Sequence, residues 1–205
     1  MVNQPATEPM SLIQPIDRDE LRQRVRSATP VPNFLIDNFL DESFAEEVLA
    51  AFPTFEQAAS MGRTFKAVNE KNKIQVTDAS KFPEAIARLD RELSSPAFLD
   101  LLSYVFEMPG LHADPNHVGG GMHQTGARGH LDVHVDFNYD ETLQMHRRLN
   151  ILVYFNKDWD PARGGDIELW DKDVKTCVQR FSPIFNRCVV FATSDLSYHG
   201  VTAVR

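Results

Sequence analysis

Hydrophobic residues recur with two different periods along the chain, one in each half. Between residues 41 and 106 they return every three or four positions, which is typical of helices with one buried face. Polar residues or prolines stand where these runs begin, as helix N-termini prefer. The pattern predicts helices from Asp41 or Ser43 to about 52, over 84–93 and over 95–106.

Short runs rich in β-branched and aromatic residues dominate the second half and are separated by turn residues. Many short strands at close spacing are typical of a sandwich or jelly roll. Earlier in the chain a strand is predicted over 32–37, and one or two more are expected within 64–76. The later runs predict strands over 121–124, 130–137, 148–155, 166–170, 176–181 and 187–193.

Helices followed by antiparallel strands predict an α+β protein in which the helices brace a sheet. A chain of 205 residues fits one domain. We expect a single domain over 31–205, with helical bracing over 40–107 and a double-stranded β-helix (jelly-roll) core over 117–205. Residues 1–30 are polar and carry four prolines, so we expect a flexible N-terminal arm with at most a short charged helix over 17–26.

The net charge of -8 argues against a nucleic-acid partner, because no basic surplus is available to neutralise phosphates. The N-terminus shows no signal-peptide pattern, and no apolar run has the length to span a bilayer, so no membrane association is expected. The two cysteines, Cys177 and Cys188, lie in predicted strands without a CxxC partner. Reduced, packed thiols in a cytoplasmic protein are therefore expected.

Two overlapping His-x-Asp pairs, His130/Asp132 and His134/Asp136, lie within one predicted strand. Side chains alternate along a strand, so all four polar groups are expected on one face and the intervening apolar residues on the other. Such a pair can occupy two adjacent positions of a metal, and one more His completes the two-His-one-carboxylate set of non-haem Fe(II) oxygenases. The pair alone is a weak signal, because a polar strand face exposed to water gives the same pattern.

The candidate for the third ligand is His199, which follows the last predicted strand. Four or five short strands fit between Asp136 and His199. In a jelly roll this number is enough to bring the last strands back beside the first.

The second half of the chain resembles the catalytic core of the prolyl-4-hydroxylase-like 2-oxoglutarate/Fe(II) dioxygenases. The resemblance covers roughly residues 117–201, and the entering strand and helix are also similar to that family. Several motifs in the right order make it more specific than one His-x-Asp pair. They are HVD at 134–136, RLNILVYFN at 148–156, KDWD at 157–160, GG at 164–165, PIFNR at 183–187, Phe191, and HG at 199–200.

The resemblance implies that His134, Asp136 and His199 are the catalytic residues and ligate Fe(II). 2-Oxoglutarate would chelate the iron, O2 would take the remaining position, and ascorbate would serve as reductant. The implied reaction hydroxylates an unactivated C–H of a peptide residue, an amino acid or a small molecule, while 2-oxoglutarate gives succinate and CO2. The family pattern continues with Phe137 and Asn138, which favours the second His-x-Asp pair over the first.

The resemblance also suggests residues that contact the cosubstrate. Tyr154 matches a tyrosine that binds the distal carboxylate of 2-oxoglutarate in some relatives, and Asn150 shares its strand parity. Gln124 falls near another cosubstrate-contacting position. The family places a basic residue well after the distal His, and here Arg205 is the last residue. We therefore expect either a natural chain that continues past Arg205 or an anchor from elsewhere, for which Arg148 is a candidate.

Two other functions remain open at this point. A jelly-roll binding module would keep the fold without turnover. A cupin-like metalloenzyme would use a metal without 2-oxoglutarate, and His130 could then contribute a ligand.

Overall fold

In the computed structural model, which describes residues 12–205, polar side chains cap four of the five α-helices of that part of the chain. Asp17, Asp41, Thr54 and Ser95 each accept a hydrogen bond from a backbone N–H in the first helical turn. Such caps satisfy donors that have no partner within the helix. The α-helices are α1 (Arg18–Ser27), α2 (Glu42–Ala51), α3 (Phe55–Met61), α4 (Glu84–Leu93) and α5 (Pro96–Phe106).

Three of these helices match the sequence prediction, and α3 was not predicted. The cap of α2 is Asp41, while Ser43 donates its hydroxyl to the Asp41 carboxylate. Helix α3 begins with a capping box in which Thr54 and Gln57 satisfy each other's backbone N–H groups. With seven residues it is too short to show a helical period.

Eleven strands lie in the described residues, and eight of them overlap the runs that the sequence predicted as strands. The predicted strands over 121–124 and 130–137 are one long strand, and the segment around His199 forms a short strand that was not predicted. The strands are β1 (Asn33–Asp37), β2 (Arg63–Lys66), β3 (Glu70–Val76), β4 (Met122–His134), β5 (Tyr139–Asp140), β6 (Met145–His146), β7 (Leu149–Tyr154), β8 (Ile167–Trp170), β9 (Cys177–Phe181), β10 (Arg187–Ala192) and β11 (His199–Val201).

Two antiparallel sheets face each other and form the predicted jelly roll. The smaller sheet has the order β1-β10-β7, and the larger has the order β2-β3-β4-β11-β8-β9. Strands β5 and β6 form a separate hairpin. Strands β2 and β3 lie within 40–107, so the segment expected to supply helical bracing also supplies two strands to the larger sheet.

Alternation along the strands of the smaller sheet separates an inner from an outer face. On β10, Val189 and Phe191 pack inward against Ile167 and Leu169 of the opposite sheet. The residues between them, such as Val190, pack outward against the helices. Along β7 the same alternation places Leu152 and Tyr154 on the inner face. These inner residues form the walls around the candidate site.

Helix α1 packs on the rest of the domain. Leu21 and Val25 are buried in the core, and Arg22 pairs with Glu107 just after α5. Ile13 is also buried and forms an isolated bridge with Leu40. Residues 12–27 therefore differ from the expected flexible arm, while residues 1–11 of that arm lie outside the described part of the chain.

A β-bulge interrupts β4 where it pairs with β11. His199 lies opposite His134, but Val201 lies opposite Leu131, so β4 contains one residue more than its partner. The expected row of four polar side chains on one face is therefore broken, and Asp132 is 60% exposed. Bulges re-aim side chains next to active sites. Gly200 makes room for this one, since a Cβ there would lie 3.0 Å from the Leu131 carbonyl oxygen.

No helix within residues 12–205 has both the length and the hydrophobicity needed to cross a membrane. Cys177 and Cys188 are both free thiols, as expected. They lie on different sheets, β9 in the larger and β10 in the smaller.

Candidate metal centre

Three potential metal ligands converge at the paired ends of β4 and β11. His134 and His199 face each other directly in the register, and Asp136 lies two residues beyond the end of β4. Their donor atoms all lie within 4.8 Å of one another. The Asp136 carboxylate lies between the two rings, 3.5 Å from Nε2 of His134 through Oδ1 and 3.5 Å from Nε2 of His199 through Oδ2.

Both imidazoles are oriented by their own backbone. Nδ1 of His134 lies 2.9 Å from the carbonyl oxygen of Asp132, and Nδ1 of His199 lies 2.9 Å from that of Ser197. A carbonyl oxygen only accepts, so each Nδ1 carries the proton and each Nε2 has a free lone pair. Ligands of one metal ion, bound at about 2.1 Å, lie roughly 3 Å apart. The two Nε2 atoms and the carboxylate fit such an ion.

The surroundings keep this donor set ready for a cation. Burial lowers the pKa of His199, which is 4% exposed, so its ring stays neutral. Burial alone would raise the pKa of Asp136, but the adjacent His134 ring, the charge of Arg147 and the Asn150 amide lower it well below its usual range. Asp136 is therefore ionised. The adjacent Asp136 carboxylate raises the pKa of His134.

Two residues that follow the β5–β6 hairpin hold the Asp136 carboxylate from the side. Asn150 donates from Nδ2 to Oδ2 of Asp136 at 2.7 Å. Arg147 donates to Oδ1 of Asn150 from Nε at 3.0 Å and from Nη2 at 2.5 Å, and its Nε lies 3.6 Å from Oδ2 of Asp136. Such outer partners orient a ligand and tune its basicity.

His199 is also part of the hydrophobic interior. Its ring centroid lies 4.9 Å from that of Phe191 on the opposite sheet and 4.4 Å from that of His134. Phe191 is fully buried. The packing between the sheets therefore fixes the position of this imidazole.

The triad opens into a cavity of about 1510 Å³ that extends through the jelly roll to the surface. Tyr154, Trp159 and Ile167 line its inner part. Val118, Phe137 and Met145 line its mouth and are each between 42% and 43% exposed. The cavity combines a polar triad with mostly apolar walls, as small-molecule sites do.

Three of the residues that we expected to contact the cosubstrate are part of the lining of this cavity. Tyr154 lies on its inner face, and burial raises the pKa of its hydroxyl well above the usual range. Asn150 gives its amide N–H to Asp136, so the structure shows a partner other than a cosubstrate. Gln124 donates from Nε2 to the Pro53 carbonyl at 2.7 Å and ties β4 to the loop after α2. Their contacts with a cosubstrate stay predictions.

Arg205 and His130 lie apart from the triad. Arg205 lines a separate cavity of about 320 Å³, and its backbone N–H donates to the Arg163 carbonyl. The structure therefore gives Arg205 no contact with the cavity of the triad. Nε2 of His130 lies 3.1 Å from the Val68 carbonyl oxygen. Within the described residues, only the pair His134/Asp136 belongs to a three-residue cluster of potential metal ligands.

Sequence reasoning missed Arg147 and the role of Phe191 against His199. The position of Arg147 three residues before Asn150 was the one available signal for its role. Arg148 itself is exposed and lines the mouth of the cavity.

Comparison with known proteins agrees with this geometry. Residues 120–205 match the model of the 2OG-Fe(II) oxygenase superfamily, and this segment contains all three residues of the triad. This segment is therefore similar to a 2OG-Fe(II) oxygenase domain. The two-His-one-carboxylate set inside it is the one that suits non-haem Fe(II) with open positions. No curated protein matches the sequence significantly.

Solved structures show that the similarity in fold extends over nearly the whole chain. A prolyl hydroxylase from Trichoplax adhaerens, in complex with a peptide fragment of hypoxia inducible factor, is 18% identical with a TM-score of 0.57, over 91% of this chain and 84% of that one. A prolyl-4-hydroxylase from Pseudomonas putida is 16% identical with a TM-score of 0.61, over 90% and 91%. A prolyl 4-hydroxylase from Phytophthora capsici is 17% identical with a TM-score of 0.60, over 97% and 63%. The chain therefore has a fold like that of the prolyl 4-hydroxylases.

Proposed function

We propose that this oxygenase hydroxylates an unactivated C–H of its substrate and converts 2-oxoglutarate to succinate and CO2. The convergence of His134, Asp136 and His199 inside an oxygenase domain is the observation that carries the proposal. Fe(II) bound there would supply O2 activation and the oxidising chemistry. The chain's own residues bind, orient and shield the reactants.

The triad offers one face to a metal and leaves the cavity side open. His134 and His199 present their Nε2 atoms, and Asp136 supplies the negative charge. The three ligands come from one end of the β4–β11 pair and line the cavity, so an ion held by them would be accessible from the cavity. Open positions of this kind are what a chelating cosubstrate and O2 require.

Tyr154 is the proposed partner of the distal carboxylate of 2-oxoglutarate. Its hydroxyl keeps its proton because burial raises its pKa, so it can donate to an anion. It lies on the inner face of β7, four residues from Asn150, which contacts Asp136. A cosubstrate that reaches inward from the triad would therefore run along this strand.

A peptide is the proposed substrate, ahead of a free amino acid or a small molecule. The mouth of the cavity is broad and carries the half-exposed apolar side chains of Val118, Phe137 and Met145. An extended chain can bury these side chains while one of its residues enters the cavity. One structural neighbour is in complex with a peptide, which agrees with this choice.

The test is succinate formation from 2-oxoglutarate by the purified protein with Fe(II) and ascorbate, with and without proline-containing peptides. We expect uncoupled succinate release without substrate and faster release with an accepted peptide. His199→Ala serves as the inactive control, because it removes a ligand. The absence of succinate with every substrate, together with no calorimetric binding of 2-oxoglutarate to the metal-loaded protein, would contradict the proposal.

A further inference from the structure

A chain of contacts leads from the mouth of the cavity to the Asp136 carboxylate. The mouth loop, residues 117–121, accepts a hydrogen bond at the Val118 carbonyl oxygen from Nη1 of Arg147 at 3.3 Å. Arg147 binds Asn150, and Asn150 binds Asp136. The proposed metal and the loop are thus joined through two side chains.

The three proposed ligands differ in how firmly their backbone is held. His134 and His199 lie on strands, but Asp136 lies past the end of β4, so no ladder hydrogen bond fixes its backbone. Its carboxylate depends on Asn150 and Arg147 for orientation. Arg147 in turn is held by the Val118 carbonyl, by Asn150 and by the face of Phe137, whose ring centroid lies 5.1 Å from its guanidinium carbon.

Gly119 leaves the space in which the Arg147 guanidinium lies. A Cβ at this position would lie 2.6 Å from Nη1 of Arg147 and 3.6 Å from the Phe137 ring. The backbone of Gly119 has φ +75, which side-chain-bearing residues rarely adopt. The loop is therefore shaped around the guanidinium.

We propose that Asn150 and Arg147 are positioning residues that hold the Asp136 carboxylate toward the metal, and that Arg147 couples this carboxylate to the mouth loop. The inference rests on the proposed function, because it gives Asp136 a metal to bind. Asn150 donates a hydrogen bond to Oδ2 of Asp136. Asn150 and Arg147 would therefore favour binding of an ion through one oxygen of this carboxylate. A substrate that displaces Val118 or Phe137 changes the hold on Asp136 through Arg147.

The experiment measures metal binding alone, by anaerobic titration with Co(II) followed by calorimetry and visible absorption. Asn150→Ala and Gly119→Ala are compared with the wild-type protein. We expect Co(II) affinity to fall roughly 10- to 100-fold in each, the usual cost of losing an outer partner of a ligand. We also expect an altered ligand-field spectrum, which a purely structural role would not produce.

Three controls match these variants. Asn156→Ala removes an asparagine amide that donates to the Pro183 carbonyl instead of Asp136. Gly110→Ala introduces a side chain at φ +76 with nothing within 4 Å, and Gly120→Ala changes the mouth loop where the nearest atom lies at 3.7 Å. All three are expected to bind Co(II) like the wild type.

The outcomes separate this inference from the proposed function. A wild-type protein that does not bind Co(II) contradicts both. Wild-type affinity and spectrum in Asn150→Ala and Gly119→Ala overturn the positioning role alone, and equal losses in Gly119→Ala and Gly120→Ala overturn the coupling to Arg147. If Asn150→Ala does not fold, Gly119→Ala decides, because its Cβ meets only the far ends of side chains.

Discussion

At the scale of single residues, the site depends on which atom of each side chain is already engaged. The backbone carbonyls of Asp132 and Ser197 take Nδ1 of the two histidines and leave Nε2 for a metal. Neighbouring side chains keep Asp136 charged. The residues were identifiable from the sequence, but these hydrogen bonds were not, because they depend on where the chain turns back on itself.

Replacement of a single triad histidine is expected to abolish turnover and preserve the fold. His134→Ala and His199→Ala each remove a donor atom, and the strands that carry them keep their ladder partners. Succinate formation measures the first effect, and circular dichroism and melting temperature of the metal-free proteins measure the second. His130→Ala, in the competing pair, is the matched control and should retain turnover; its inactivation would point to the cupin-like alternative.

His123 is expected to make the protein less stable in mild acid. Burial, with the charge of Lys73 second, lowers the pKa of His123 to about 4. Between pH 6.5 and 4 the unfolded chain therefore binds a proton that the folded protein refuses, so the free energy of unfolding falls as pH falls. For this partly buried ring the loss is roughly 2 kcal/mol.

Urea denaturation at several pH values measures this dependence. His123→Gln should flatten the curve between pH 6.5 and 4, while the exposed His112→Gln should leave it unchanged. An unaltered slope in His123→Gln would show that other groups cause the acid sensitivity.

At the scale of elements, the bulge in β4 is the feature that aligns the ligands. It shifts the register between Leu131 and His134, so that His134 meets His199 across the strand pair. The sequence predicted the strand but not the bulge, because the alternating pattern GHLDVHVD reads as one regular strand. A bulge is defined by the pairing with a neighbouring strand, and the pattern of one strand does not reveal that pairing. The glycine after His199 was the only local signal for a close backbone approach.

Gly200→Ala is expected to destabilise the protein by about 1–3 kcal/mol, the usual cost of overpacking. Its Cβ would meet Leu131 O at 3.0 Å and Val133 N at 3.1 Å, and both are backbone atoms that cannot rotate away. Chemical denaturation measures the loss. Gly120→Ala, with no contact closer than 3.7 Å, is the control. Equal stability of the two variants would show that the bulge tolerates a side chain.

The helices were more predictable than the sheets for a physical reason. Helices α4 and α5 carry their apolar stripes within ten or eleven contiguous residues, and Ser95 caps α5 directly before its first residue. The strands depend on partners far away in sequence, such as β1 with β10, so their order could only come from resemblance. The two-residue strands β5 and β6 gave no pattern at all.

At the scale of the whole molecule, the two sheets meet at the site. Phe191 of the smaller sheet packs on His199 of the larger one, so the ligand set bridges both layers. The strand predicted over 32–37 and those expected within 64–76 are present in the first half of the chain. Strands β1, β2 and β3 from the first half complete the sheets around the cavity.

Metal binding is therefore expected to stabilise the entire domain. A ligand that binds only the folded protein adds about 2.7 kcal/mol at a concentration 100 times its Kd. Titration with Mn(II) or Co(II) should raise the melting temperature in proportion to the logarithm of metal concentration, and a chelator should reverse the rise. His134→Ala should show no such rise, and a similar rise in that variant would place the bound metal elsewhere.

Asp136 is attached differently from its two companions. The histidines belong to hydrogen-bonded strands, whereas the carboxylate stands on a connecting segment and is steadied by side chains alone. An ion held here would therefore depend most on this carboxylate for its retention. The side chains that steady Asp136 would then set how long the ion stays.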